Sequence, residues 1–137
     1  YAMKERAREF GMTAEMLAKN DLVIDGGLRS LEICKRHGIK VGYGSDLLGQ
    51  LQVDQSREFL LRREVLSPIE IIRQATVVGA EILRLPGKLG VVQPGAFADL
   101  LVVDGDPIRK LELLTGQGDN LSVIMKAGRF HKNRLAA

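Results

Sequence analysis

"GKLGVVQPGAFADLLVVDGDP", residues 87–107, marks the point where the pattern of the chain changes. Turn signals at Pro94-Gly95 and from Asp104 to Pro107 bracket the apolar run "LLVVD" (100–104). Such a run between turns predicts a strand covered on both faces. Further on, "LSVIMKAGRFHKN" (121–133) predicts two short strands about the turn "KAG" (126–128). Upstream of Pro86-Gly87 the periodicity is helical. The chain therefore divides near residue 86, into 1–86 and 87–137, with helices and one strand before and small strands after.

Working back from that boundary, "SPIE" (67–70) is the clearest local signal. Ser67 can cap, Pro68 suits the first helical position, and Glu70 completes a capping box. The spacing predicts a helix from there to about Leu85. Ile69, Ile72, Thr76, Gly79, Ala80 and Leu83 form one face, and Ile71, Ala75, Val78 and Ile82 make the neighbouring face apolar too. So wide a stripe predicts burial on two sides. "QSREFLLRREVL" (55–66) reads as another helix, with Arg57, Arg62 and Arg63 outside its apolar face. Leu28, Leu31 and Cys34 mark an amphipathic helix ended by His37-Gly38. "TAEMLAKN" (13–20) reads as a short helix capped by Thr13, "DLVIDGG" (21–27) as a linker, and "KERAREF" (4–10) as the end of a polar helix stopped by Gly11.

Composition narrows the function classes. The chain has 137 residues, 45% hydrophobic and 27% charged, enough for one globular domain with a core. No apolar run approaches the length of a membrane span. The net charge of +3 comes from interspersed signs, and aromatics are 4% with no Trp, so nucleic-acid binding is not expected. The single cysteine, Cys34, excludes an internal disulfide and reads as a small core residue in a reducing, cytoplasmic setting.

"GIKVGYGSDLLG" (38–49) carries the candidate chemistry. "IKVGY" (39–43) follows a helix and a Gly at once and predicts a strand, the αβ rhythm of a parallel α/β protein. Asp46 then stands at the strand's C-terminal end, where such folds gather active-site residues. A carboxylate there can ligate a metal, act as a general base, or do both. It can equally cap a turn or pair with an arginine. The glycines match neither phosphate-binding fingerprint, and Ser45 lacks a nucleophile context.

Three stretches resemble the C-terminal third of a metal-dependent amidohydrolase, of the type that includes imidazolonepropionase-like proteins and Xaa-Pro dipeptidases (prolidases). "GIKVGYGSDLLG" resembles the eighth barrel strand with its Gly-Ser-Asp. "LSPIEIIRQATVVGAEIL" (66–83) resembles the helix that follows. "GKLGVVQPGAFADLLVVDGDP" resembles the return into the family's small β-sandwich, and the order of the three is the family's. The resemblance implies the last part of a (β/α)₈ barrel followed by strands of the sandwich. It implies hydrolysis of amide or peptide C–N bonds in a small amide or dipeptide substrate, through water activated by a divalent metal, often zinc in this family. Asp46 is then metal ligand and proton shuttle, with Leu47, Leu48 and Gly49 at the pocket rim.

The family's other ligands have no counterpart. There is no His-x-His. His37 sits beside a helix-ending Gly and His131 in the basic tail. A complete barrel needs about 250 residues, and Tyr1 is not an initiator Met, so a partial copy, inactive alone, is expected. Cut apolar faces then predict self-association into a homo-oligomer. The alternative is a non-catalytic α/β module that oligomerises or binds a partner, in which Asp46 is a turn residue.

Overall fold

A computed structural model describes residues 1–135. The helices are α1 (Ala2–Glu5), α2 (Ala14–Arg36), α3 (Glu58–Arg62), α4 (Pro68–Arg73) and α5 (Gly79–Ile82). The strands β1 (Leu100–Val103), β2 (Leu121–Lys126) and β3 (Arg129–Asn133) form an antiparallel sheet in that order.

The 23-residue α2 overturns the reading of 21–27 as a linker. Thr13 does cap it, its Oγ1 accepting from the Met16 N–H at 3.3 Å. Leu17, Ile24, Leu28, Leu31 and Cys34 are all half-buried on one stripe. The helical period thus runs straight through "DLVIDGG", and packing of that stripe outweighs two glycines that each cost about 1 kcal/mol relative to Ala. A Cβ on Gly26 or Gly27 would meet nothing within 4 Å. The polar helix expected over 4–10 is only α1, followed by turns to Gly11 at φ +59°.

The expected helix 55–66 also changes form. A 3₁₀ segment spans Gly49–Arg57, and only Glu58–Arg62 is α-helical. Arg62, placed outside the apolar face by its spacing, is in fact 6% exposed. Its Nε donates to Glu58 Oε1 at 2.7 Å, and its Nη1 donates to the Gly42 carbonyl at 2.9 Å and to Gln74 Oε1. The guanidinium also lies over the Tyr43 ring, 5.3 Å from its centroid. These partners answer the hydrogen-bonding demand that burial creates.

The capping box at Ser67 and Glu70 forms as the sequence indicates. Glu70 also accepts from Lys35 Nζ at 3.1 Å, which ties α4 to α2. The helix ends at Ile82 rather than Leu85, and Gln74–Val78 is a π-turn between α4 and α5. Only part of its expected two-sided burial is realised: Ile71 and Ala80 are buried, but Ile69, Ile82 and Leu83 are exposed. Ile71 joins Leu66 and Leu111 in the core, with Tyr43, Phe59 and Leu114 around them. Leu111 arrives on a 3₁₀ turn (Leu111–Leu114) from the strand-bearing half, so one core joins both halves.

"IKVGY" is not a strand. Residues 39–48 belong to no ladder. A strand exists by its partners, and among the described residues none lies beside this segment. Instead the Tyr43 N–H donates to the Gln74 carbonyl at 3.2 Å.

The three C-terminal strands do form. β1 pairs with β2 from Leu100↔Met125 to Val103↔Leu121. It is not covered on both faces, since Leu101 is 56% and Val102 43% exposed. β2 and β3 close on Ala127-Gly128, with φ +49° and +76°, the two-residue turn that suits strand twist. Asp99 fastens this turn. Its carboxylate accepts from the Ala127 N–H at 2.7 Å and pairs with Lys126. The Lys126 ammonium, then the Ala127 amide, hold the Asp99 carboxyl below its ordinary range.

Three outcomes follow from this packing. Arg62→Ala strands Glu58 and two acceptors, and should cost about 3 kcal/mol in urea unfolding, with Arg62→Lys recovering only part of it. Gly90 has φ +71°, and a Cβ there would sit 2.5 Å from the Thr76 carbonyl. Gly90→Ala should therefore lower the urea midpoint, whereas Gly26→Ala should raise stability by about 0.5–1 kcal/mol. Because the Asp99 pKa is depressed by folding, its contribution is present above the unfolded value of 3.8 and lost as pH falls through the folded value. The protection factor of the Ala127 amide, taken against its intrinsic exchange rate, should fall in that acid window, and Asp99→Asn should abolish this pH dependence.

Candidate functional site

Asp46 follows the stretch 39–45, which belongs to no helix or strand, and has φ +51°. Asp is among the few residues that enter this left-handed region readily. The side chain is exposed, and among the described residues its carboxylate has neither hydrogen-bond nor ion-pair partner. The turn-cap and arginine-pair readings of Asp46 therefore have no contact behind them.

Its neighbours face elsewhere. Ser45 and Leu47 line a cavity of about 420 Å³ between α2 and the 49–62 segment. Asp46 does not line it. The charges on its wall satisfy one another: Arg57 lies 3.6 Å from Asp54, and Arg62 pairs with Glu58. This cavity is a gap between packed elements rather than a centre of reaction chemistry. Leu48 is 74% exposed, and Gly49, at φ +56°, is exposed at the start of the 3₁₀ segment.

The segment carrying Asp46 is held at its base. The π-turn presents the Gln74 carbonyl to the Tyr43 N–H, while the Gln74 side chain and the Gly42 carbonyl share Arg62. The Tyr43 hydroxyl donates to the Gln55 carbonyl at 3.2 Å. Burial, then the nearby Glu58 charge, push the Tyr43 pKa well up, so it stays a neutral donor. Gly42 allows the close approach of α5: a Cβ there would lie 2.6 Å from Ile82 Cδ1. Arg62 and Gln74 were not legible as supports of this site. Arg62 sits in an arginine-rich helix and gives no signal of burial, and a π-turn has no sequence signature.

Among the described residues neither histidine hydrogen-bonds or ion-pairs with Asp46. His37 is the C-cap of α2, its N–H donating to the Ile33 carbonyl at 3.0 Å, and His131 is exposed on β3. A catalytic zinc takes three protein ligands. Among the described residues no three His, Cys, Asp or Glu side chains come together in a way that could hold a metal. The described residues do not by themselves fit one. No helix among the described residues is long and apolar enough to cross a membrane.

The model of the amidohydrolase family matches residues 2–130. A crystal structure of an amidohydrolase is 47% identical, with a TM-score of 0.89 over 98% of this chain and 32% of that one. A prolidase complexed with N-methylphosphonate-L-proline is 42% identical, with a TM-score of 0.88 over 96% of this chain and 32% of that one. Adenine deaminase 4 of Rhizobium meliloti (strain 1021) is 32% identical over 74 residues, which are 54% of this chain and 12% of that protein. The chain thus spans about a third of the length of these solved structures and a smaller share of the curated relative. Its fold is that of a partial chain of a TIM-barrel enzyme. Matched to the family model over nearly all its length, the chain belongs to the amidohydrolase family.

Proposed function

We propose that this chain supplies the last-strand aspartate, and the base on which it stands, to a hydrolase of amide or peptide C–N bonds. The observation that carries the reading is Asp46 itself. Among the described residues it is an exposed carboxylate without a partner, at the end of a glycine-rich segment, in a chain of the amidohydrolase family. Asp46 would be one ligand of a divalent metal, with zinc the first candidate, and the remaining donors would come from residues outside this chain. When bound, such a metal lowers the pKa of a coordinated water toward ~7.

The work of Asp46 is to accept a proton as the carbonyl carbon is attacked and to return it to the departing nitrogen. Its free lone pairs allow that, and the anchoring of Gly42 and Tyr43 limits its drift. Leu48 and Gly49, both exposed, would form the rim beside it, whereas Leu47 turns into the cavity against α2. The substrate class is a small N-acyl amino acid or dipeptide. The 42% identical prolidase, complexed with a proline phosphonate, supports Xaa-Pro dipeptides as the first substrates to test.

The experiment is a chimera. Residues 2–130 of this chain replace the matching third of the 47% identical amidohydrolase, and zinc content and Xaa-Pro hydrolysis are measured. Asp46→Ala should lower kcat by about 10²–10⁴-fold and Asp46→Asn by a similar factor, while the fold is kept. Full activity in a folded Asp46→Ala chimera would refute the role. The 137-residue chain alone should carry close to no zinc, with or without Asp46.

A further inference from the structure

The segment that follows Leu48 has an unusual form. Gly49–Arg57 is 3₁₀ over nine residues, whereas such runs seldom pass three or four, because their hydrogen bonds are poorly aligned. Side chains from distant parts of the chain hold it. Arg6 Nη1 donates to the Gln50 carbonyl at 3.0 Å, and the Tyr43 hydroxyl to the Gln55 carbonyl at 3.2 Å. Between these two, the side-chain amide of Gln117 donates to the Val53 carbonyl and, at 3.4 Å, to the Gln52 carbonyl. Just before them, the Leu51 N–H donates to the Leu48 carbonyl at 3.1 Å. Whatever fixes this segment therefore also fixes Leu48.

Gln117 reaches the segment from a strained turn. Gly116, Gln117 and Gly118 have φ +70°, +54° and +86° in succession. Glycine takes such angles freely and glutamine does not. A glycine in the middle would make the turn at less cost but would reach nothing, so the side chain accounts for the strain. The turn is fastened to the sheet. Lys132 Nζ, on β3, donates to the Gly118 carbonyl at 2.6 Å, and Arg134 Nη1 donates to the Asp119 carbonyl at 3.0 Å. Contacts within this chain thus run from β3 through Gln117 and the 3₁₀ segment to Leu48.

We propose that Gln117 is a positioning residue for substrate: from the strand-bearing half of the chain it sets the rim at Leu48 and Gly49. This role rests on the hydrolase reading of Asp46. Asp46 itself has separate support, since Arg62 holds the Gly42 carbonyl and the Gln74 carbonyl holds the Tyr43 N–H. Releasing Gln117 loosens the rim and leaves the proton-carrying group in place. Such a change weakens ground state and transition state alike, so it raises KM with little change in kcat.

The test reads structure and kinetics separately. In the 137-residue chain, the protection factor of the Leu51 amide should fall by about tenfold in Gln117→Gly and Gln117→Glu. In the chimera with the 47% identical amidohydrolase, both variants should raise KM for Xaa-Pro dipeptides by about five- to tenfold, with kcat within about twofold of the parent. Gln117→Gly also relieves the strained φ, so its urea midpoint should stay near the parent's. Gln117→Glu sets an acceptor-only carboxylate against two carbonyls, whereas Gln117→Lys keeps a donor and should recover most of the lost KM. An unchanged Leu51 protection factor, or an unchanged KM in an active chimera, overturns the proposal and leaves the role of Asp46 standing. So does a KM rise that follows a falling urea midpoint across the variants, the mark of a merely structural residue. A parent chimera that hydrolyses no Xaa-Pro dipeptide sinks the hydrolase reading, and the role of Gln117 with it.

Discussion

The buried guanidinium of Arg62 is the contact on which the arrangement turns. It draws together α3 through Glu58, the segment bearing Asp46 through the Gly42 carbonyl, and the π-turn through Gln74. A charge that is 6% exposed cannot sit in a protein without such partners. Its burial therefore forces three elements from different parts of the chain into one geometry. The Tyr43 ring completes the enclosure, stacking on the guanidinium and packing at 4.5 Å between centroids against Phe59.

From that point the rest of the helical half can be followed outward. Tyr43 and Phe59 border the small core of Leu66, Ile71 and Leu111. Leu111 brings in the strand-bearing half, and the ion pair of Arg63 with Glu112 lies beside it. The close seat of Gly90 on Thr76 makes a second junction at the π-turn itself. The π-turn thus serves two neighbours at once. It gives a carbonyl to the Asp46 segment and receives the backbone of the returning loop. Such turns gather where a helix must offer groups that a regular α-helix keeps to itself.

The site shows what a partial barrel can and cannot carry. The local support of one carboxylate is complete within this chain, because the residues that hold Gly42 and Tyr43 lie within the next 32 positions. The assembly of a metal centre is not, since a catalytic zinc takes three protein ligands and no such group of side chains comes together among the described residues.

The sequence by itself determined the features that depend on near neighbours. The capping box at Ser67 and Glu70, the Thr13 cap, the hairpin about Ala127-Gly128, and the position of Asp46 after a glycine-rich run all follow from spacing. Tertiary structure decided what spacing leaves open. It carried α2 through Gly26 and Gly27, because a packed stripe outweighs a weak local preference. It buried Arg62, because three acceptors converge there. It left residues 39–43 outside any ladder, and β1 partly bare, because a strand and its cover are supplied by other segments rather than by its own residues.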